Sequence, residues 1–282
     1  MKQIYKFFSF FATLMLITPS VFAVDLTSIS NSDWAVSEMS RARLLSVTTG
    51  TGGQKEVVLG VHIQLDRGWK TYWRSPGDTG IAPTFGWSGS ENIANTEILW
   101  PAPESFESAG YLSWGFETEV LFPVKVTLKD ADKDLRAKLV LTYGVCKEVC
   151  VPIQQEFSLH LPNAAAEQSA EKNLFQQYTA LVPAPLGLSA LAQRIEIRHL
   201  TKNFLEVTVD TNNSFENPEL ILEGEDGDFF AVEKTVIDRN GNKVSFSIAA
   251  DFVNDPKRIL GRKLRATLID NSQGAEASVE IK

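Results

Sequence analysis

Apolar side chains recur at every second position through most of this chain. The clearest run is Leu139–Leu161, LVLTYGVCKEVCVPIQQEFSLHL. Leu139, Leu141, Tyr143 and Val145 alternate on its near side, and Val151, Ile153, Phe157, Leu159 and Leu161 on its far side. Period two on both flanks predicts two half-buried strands joined by a hairpin turn. The same period marks Val57–Leu65 and, through Val120, Phe122, Val124, Val126 and Leu128, a strand at Glu119–Leu128, with shorter strands expected at Ala42–Thr49, Thr71–Arg74, Ala82–Trp87 and Glu97–Trp100. Pro101 and Pro103 open what reads as a long loop holding Tyr111 and Trp114. His62, Gln64 and Asp66 alternate against the apolar set, so His62 reads as a surface residue.

The pattern changes at residues 163–180, where helix-forming residues run without proline or glycine. Leu174, Phe175, Tyr178 and Leu181 make one stripe at helical spacing, and Pro183 and Pro185 end it. From Leu191 the strand pattern resumes to the end, with Asn240-Gly241 as a tight hairpin turn. Short strands at regular spacing predict an all-β fold of two immunoglobulin-like sandwiches. The expected division is 24–162, a helical linker with a Pro/Gly stretch at 163–190, and 191–282.

Residues 1–23 read as a secretory signal: Lys2 and Lys6, then an apolar run from Phe7 to Ile17, then Val21-Phe22-Ala23. No later segment reads as a membrane span. Cleavage removes two lysines and takes the formal net charge from −8 to −10. That acidity argues against nucleic acid and anionic membranes as partners. Export also fixes the redox setting, because disulfides persist outside the cytoplasm.

The two cysteines of the chain, Cys146 and Cys150, flank Lys147-Glu148-Val149 in the predicted turn. A hairpin brings their Cα atoms within disulfide reach. Both positions are even, while the inward positions on the two strands are odd, so both sulfurs are expected on the outward, exposed face. A loop this short stabilises by only about 2 kcal/mol in the chain-entropy model. A weak, outward-facing staple suits a redox-active disulfide better than a structural one.

A second unusual stretch is Gly68–Pro83, GWKTYWRSPGDTGIAP, and five of the six tryptophans fall between Trp69 and Trp114. Trp69, Tyr72 and Trp73 are expected mainly in the core; Arg74 and Asp78 are candidate polar residues of a loop. The three histidines form no nucleophile–base arrangement and no phosphate-cradling loop appears, so hydrolytic chemistry is excluded. No metal site or cofactor is expected. The competing reading is an exported binding module, for carbohydrate or copper, with a structural disulfide.

Trp69–Gly80 and Tyr143–Pro152 together resemble the periplasmic amino-terminal domain of the DsbD/ScsB thiol:disulfide interchange proteins. The resemblance covers roughly residues 30–162. It implies that Cys146 and Cys150 exchange electrons, one thiolate attacking a partner's disulfide and the other resolving it. Tyr143, Lys147, Tyr72, Trp73 and Asp78 would then form the partner-binding surface. It also implies a membrane-embedded electron donor of DsbD/CcdA type, expected as a separate protein, and a periplasmic thioredoxin-fold acceptor.

Overall fold

The structure is a computed structural model. It describes residues 30–77, 80–108, 111–201, 204–211, 213–224, 229–230, 232–238, 240–249 and 260–282. The expected signal segment lies outside the described residues, and so does Asp78. Among the described residues no helix is long and apolar enough to cross a membrane.

In chain order the first eleven strands are β1 (Ala35–Val36), β2 (Ser40–Ser46), β3 (Glu56–Leu65), β4 (Lys70–Gly77), β5 (Thr84–Gly86), β6 (Ile93–Ile98), β7 (Glu104–Ser108), β8 (Tyr111–Glu117), β9 (Glu119–Leu128), β10 (Leu135–Cys146) and β11 (Cys150–Leu161). They form two antiparallel sheets, ordered β1-β2-β3-β9-β6 and β11-β10-β4-β8-β7, with β5 beside β10. The alternating positions read from the sequence face each other across this sandwich: Val61 and Phe122 from one sheet, Leu139 and Phe157 from the other, all buried. Phe122 anchors one end, edge-on to Phe85, Trp100 and Phe116 at 5.7, 5.2 and 5.6 Å. Edge contacts of this kind add about 0.5–1.5 kcal/mol each beyond the area they bury.

Two expectations are corrected here. The stretch after Pro103 is the β7–β8 hairpin, with Glu104 opposite Gly115 and Ser108 opposite Tyr111. Trp114 and Phe116 do alternate inward, but flanking prolines and glycines mask so short a signal.

His62 is also buried, not a surface residue. Helix α1 (Lys172–Ala180) and the residues around Trp34 cover the outer face of the first sheet. Phe175 packs where a side chain on Gly60 would lie, and the Tyr178 hydroxyl donates to the Glu119 carbonyl at 3.0 Å. Beneath this cover Arg43 Nε donates to His62 Nδ1 at 3.3 Å, leaving Nε2 to donate to Glu119 at 3.1 Å. Burial pulls the His62 pKa below its ordinary value, against the pull of Glu119.

The second sandwich comprises β12 (Ala184–Pro185), β13 (Arg194–Thr201), β14 (Phe204–Asp210), β15 (Glu219–Glu223), β16 (Phe229–Phe230), β17 (Val232–Ile237), β18 (Lys243–Ala249), β19 (Lys263–Asp270) and β20 (Gln273–Glu280). Its sheets are β12-β20-β19-β15-β16 and β13-β14-β18-β17. Leu220, Leu222, Ala266 and Leu268 face Val207 and Phe246 in its own core. Ile221 and Ile269 have the opposite parity and are buried with the core of the first sandwich. The fold is therefore all-β, two immunoglobulin-like sandwiches joined through a helical segment and a packed contact.

Candidate functional site

The β10–β11 hairpin keeps one register for twelve pairs, from Leu135 opposite Leu161 to Cys146 opposite Cys150. The cysteines are the last pair before a three-residue tip, with Cα atoms 4.1 Å apart, and they form a disulfide. Tyr143 and Val145 point into the core, so strand alternation turns Cys146 to the other face.

That face is not open to solvent as expected. Cys146 is 3% exposed and Cys150 half-buried, while Lys147, Glu148 and Val149 protrude, Val149 at 71%. The cover is the chain that follows β3. Strand β4 pairs with β10 only at Lys70 opposite Cys146, and the chain rejoins β10 as β5, opposite Val140–Thr142. In between it rises over the outer face of the hairpin end. Thr71 Oγ1 donates to the Gly144 carbonyl at 2.9 Å. A Cβ on Gly144 would come 2.6 Å from that of Ile81, so only glycine admits this cover.

The cover is aromatic at the sulfurs. Tyr72 is fully buried and its hydroxyl lies 3.5 Å from Cys150 Sγ. Phe106 sits 5.9 Å from the Tyr72 ring, and Lys70 Nζ lies 4.1 Å above Phe106 while pairing with Glu117 at 3.0 Å. A register shift makes this possible: Tyr72 pairs with Gly115 and Gly77 with Ser113, so β4 carries three extra residues there. Gly115 is required because a Cβ would lie 2.0 Å from the Thr71 carbonyl oxygen.

The structure thus brings Tyr72, Lys147, Cys146 and Cys150 together and places Tyr143 and Trp73 elsewhere, while Asp78 lies outside the described residues. Tyr143 is turned into the core, its hydroxyl bonded to Ser40 at 2.8 Å, and burial raises its pKa. Trp73 is fully buried, under the Arg74 guanidinium at 4.0 Å. Lys147 leans toward Gly68 at the rim. Thr71, Ile81, Phe106 and Gly144 escaped the sequence reading, because only the register shift and the strand exchange bring them to the sulfurs. Trp73 and Trp114 are buried in the core and the other four tryptophans are half-buried.

Chemically the site is one disulfide between a buried and a half-buried cysteine. The Tyr72 hydroxyl stands at the sulfur of the half-buried Cys150, and Lys70 and Lys147 stand nearby. Neighbouring cations favour a thiolate.

Residues 41–162 match the family described as thiol:disulfide interchange protein DsbD, N-terminal. Residues 181–282 match a family described as Domain of unknown function (DUF8393). The crystal structure of the N-terminal periplasmic domain of ScsB from Proteus mirabilis is similar at TM-score 0.72 and 25% identity, over 90% of this chain and 99% of that one. A marsupial T cell receptor (8% identity, 86% of this chain and 97% of that one) and the periplasmic chaperone SfaE (13%, 86% and 100%) reach TM-scores of only 0.22, too low to carry an argument. No curated protein matches the chain significantly. The sandwich that holds the disulfide is an amino-terminal domain of the DsbD/ScsB thiol:disulfide interchange family.

Proposed function

We propose that this protein performs thiol:disulfide interchange in the periplasm through Cys146 and Cys150, taking electrons from a membrane-embedded donor and passing them to thioredoxin-fold oxidoreductases. The observation that carries this reading is the asymmetry of the disulfide. Cys146 is buried at 3% exposure, whereas Cys150 is half-buried beside the protruding tip and is the cysteine a partner reaches first.

In the reduced protein the Cys150 thiolate attacks one sulfur of the acceptor's disulfide, forming a mixed disulfide and releasing the acceptor's other thiolate. Cys146, deprotonated, then attacks Cys150 Sγ. The intramolecular disulfide reforms and the acceptor leaves as a dithiol. Two electrons and two protons pass to the acceptor. The donor's dithiol restores the starting state by the reverse sequence. Val149 and Lys147 at the tip offer the first contact to either partner. Tyr72 and Trp73 belong to the stretch that covers the pair, with Tyr72 at the sulfur.

The reading is tested by the reduction potential of the mature protein in glutathione buffers. A value of roughly −180 to −270 mV, the range of thiol–disulfide catalysts, supports it. A value below about −300 mV marks a structural bond and overturns it. Trapping adds the order of attack: Cys146→Ser should hold a mixed disulfide with a thioredoxin-fold partner, and Cys150→Ser should not.

A further inference from the structure

Arg74 stands two residues beyond Tyr72 on the segment that covers the disulfide, yet its guanidinium is held by the second sandwich. Nε lies 3.2 Å from each Glu223 carboxylate oxygen, and Nη2 lies 2.9 Å from Oε2. Nη2 also donates to Thr267 Oγ1 at 3.2 Å and to Glu276. Glu276 in turn accepts from Thr267 at 3.0 Å. The three acceptors sit on neighbouring strands of one sheet: Ile221 is opposite Thr267, and Thr267 opposite Glu276. Glu223, two positions along β15 from Ile221, shares the same outward face. Ile221 and Ile269 on that face seal against the first core, so the charges meet where water is largely excluded.

This is more than two domains need to stay together. Apolar packing already joins them, and Ser105 donates to Glu219 at 2.5 Å elsewhere on the contact. A planar guanidinium engaged by two carboxylates has one orientation, so it fixes backbone position as well as contact. The backbone it fixes is the bulged part of β4, between Tyr72 and Gly77.

We infer that the second sandwich positions the redox site: through Glu223, Glu276 and Thr267 it clamps Arg74, and Arg74 holds the Tyr72 segment down over Cys146 and Cys150. Arg74 is a positioning residue, acting through Tyr72. The inference rests on the exchange reading for its meaning but not for its test. Releasing the clamp leaves the hairpin intact and lets the cover open, so small thiols reach the disulfide sooner.

The experiment compares the rate at which dithiothreitol reduces the mature full chain as wild type, as Arg74→Ala and as the double variant Glu223→Gln/Glu276→Gln. Thermal midpoints are recorded in parallel. Both variants should be reduced about tenfold faster, the factor for losing one weak charge-assisted hydrogen bond, and combining them should add little further. Arg74→Lys, lacking the fork, should recover only part of the wild-type rate. A contact that merely joins the domains would lower the midpoint and leave the rate unchanged. Wild-type rates in the double variant would therefore overturn the inference. If Arg74→Ala fails to fold, the double variant decides alone, because its substitutions lie outside the first sandwich. The wild-type potential reports on the exchange reading and the variant-to-wild-type rate ratio on the clamp, so either can fail without the other.

Discussion

The Tyr72 hydroxyl lies 3.5 Å from the sulfur of Cys150, across 78 positions of sequence. A hydroxyl donates more strongly to a thiolate than to a disulfide sulfur, so Tyr72 stabilises the reduced, ionised site over the oxidised one. Tyr72→Phe keeps the ring and removes the donor. Its Cys150 thiol should become more basic and its disulfide harder to reduce, with the equilibrium shifted by about 3- to 10-fold. Iodoacetamide alkylation against pH measures the first effect and glutathione titration the second.

Reduction should cost the fold little. The bond closes a five-residue loop within a register of twelve pairs that needs no crosslink. Chemical denaturation of oxidised and reduced protein should differ by about 2 kcal/mol at most. A loss of 4–5 kcal/mol, the cost of removing a native disulfide from a small secreted domain, would mark a structural staple instead.

Gly144→Ala places a methyl group 2.6 Å from the Ile81 side chain. Relieving that overlap lifts the cover from β10 and costs about 1–3 kcal/mol. The variant should melt earlier and expose Cys146 to small thiols, which thiol-labelling kinetics after partial reduction would detect.

Phe175 is buried against Gly60 and Leu121 on the outer face of the first sheet. Phe175→Ala should destabilise the protein by about 3–5 kcal/mol, through lost burial and the cavity left behind. Denaturant unfolding measures this, and the disulfide potential should stay at its wild-type value.

His62 carries a pH dependence whose sign follows from its burial. Its folded pKa is lowered from 6.5, so the unfolded chain takes up the proton first as pH falls. Stability contributed by neutral His62 is complete above pH 6.5 and is lost as pH falls from there through the lowered folded value. Burial raises the Glu119 carboxyl, but hydrogen bonds from Gln64 and His62 outweigh it and hold it below 4.5, so its own contribution is lost only in a more acidic window. In His62→Gln the fall of the melting midpoint just below pH 6.5 should flatten, while the decline below pH 4.5 should persist.

The sequence determined the longest strands, because one buried face imposes period two, and β3, β9, β10 and β11 show it. Val57–Leu65 lies within a residue of β3, and Glu119–Leu128 coincides with β9. Parity also put Cys146 on the face opposite Val145. What parity could not say is whether that face meets water. Cys146 and His62 both lie on outward faces that are buried, one beneath the β4 excursion and the other beneath Trp34 and helix α1. Period two reports which side of a strand a residue takes; what lies over that side is a long-range fact. The apolar doublets Leu220-Ile221 and Leu268-Ile269 did carry a trace of the domain contact, since an outward apolar residue in a strand needs a second surface. The β4 register shift, the Gly144–Ile81 approach and the grip of Glu223 and Glu276 on Arg74 were decided by tertiary structure alone. Each joins segments whose spacing along the chain has no period, and only packing brings them together.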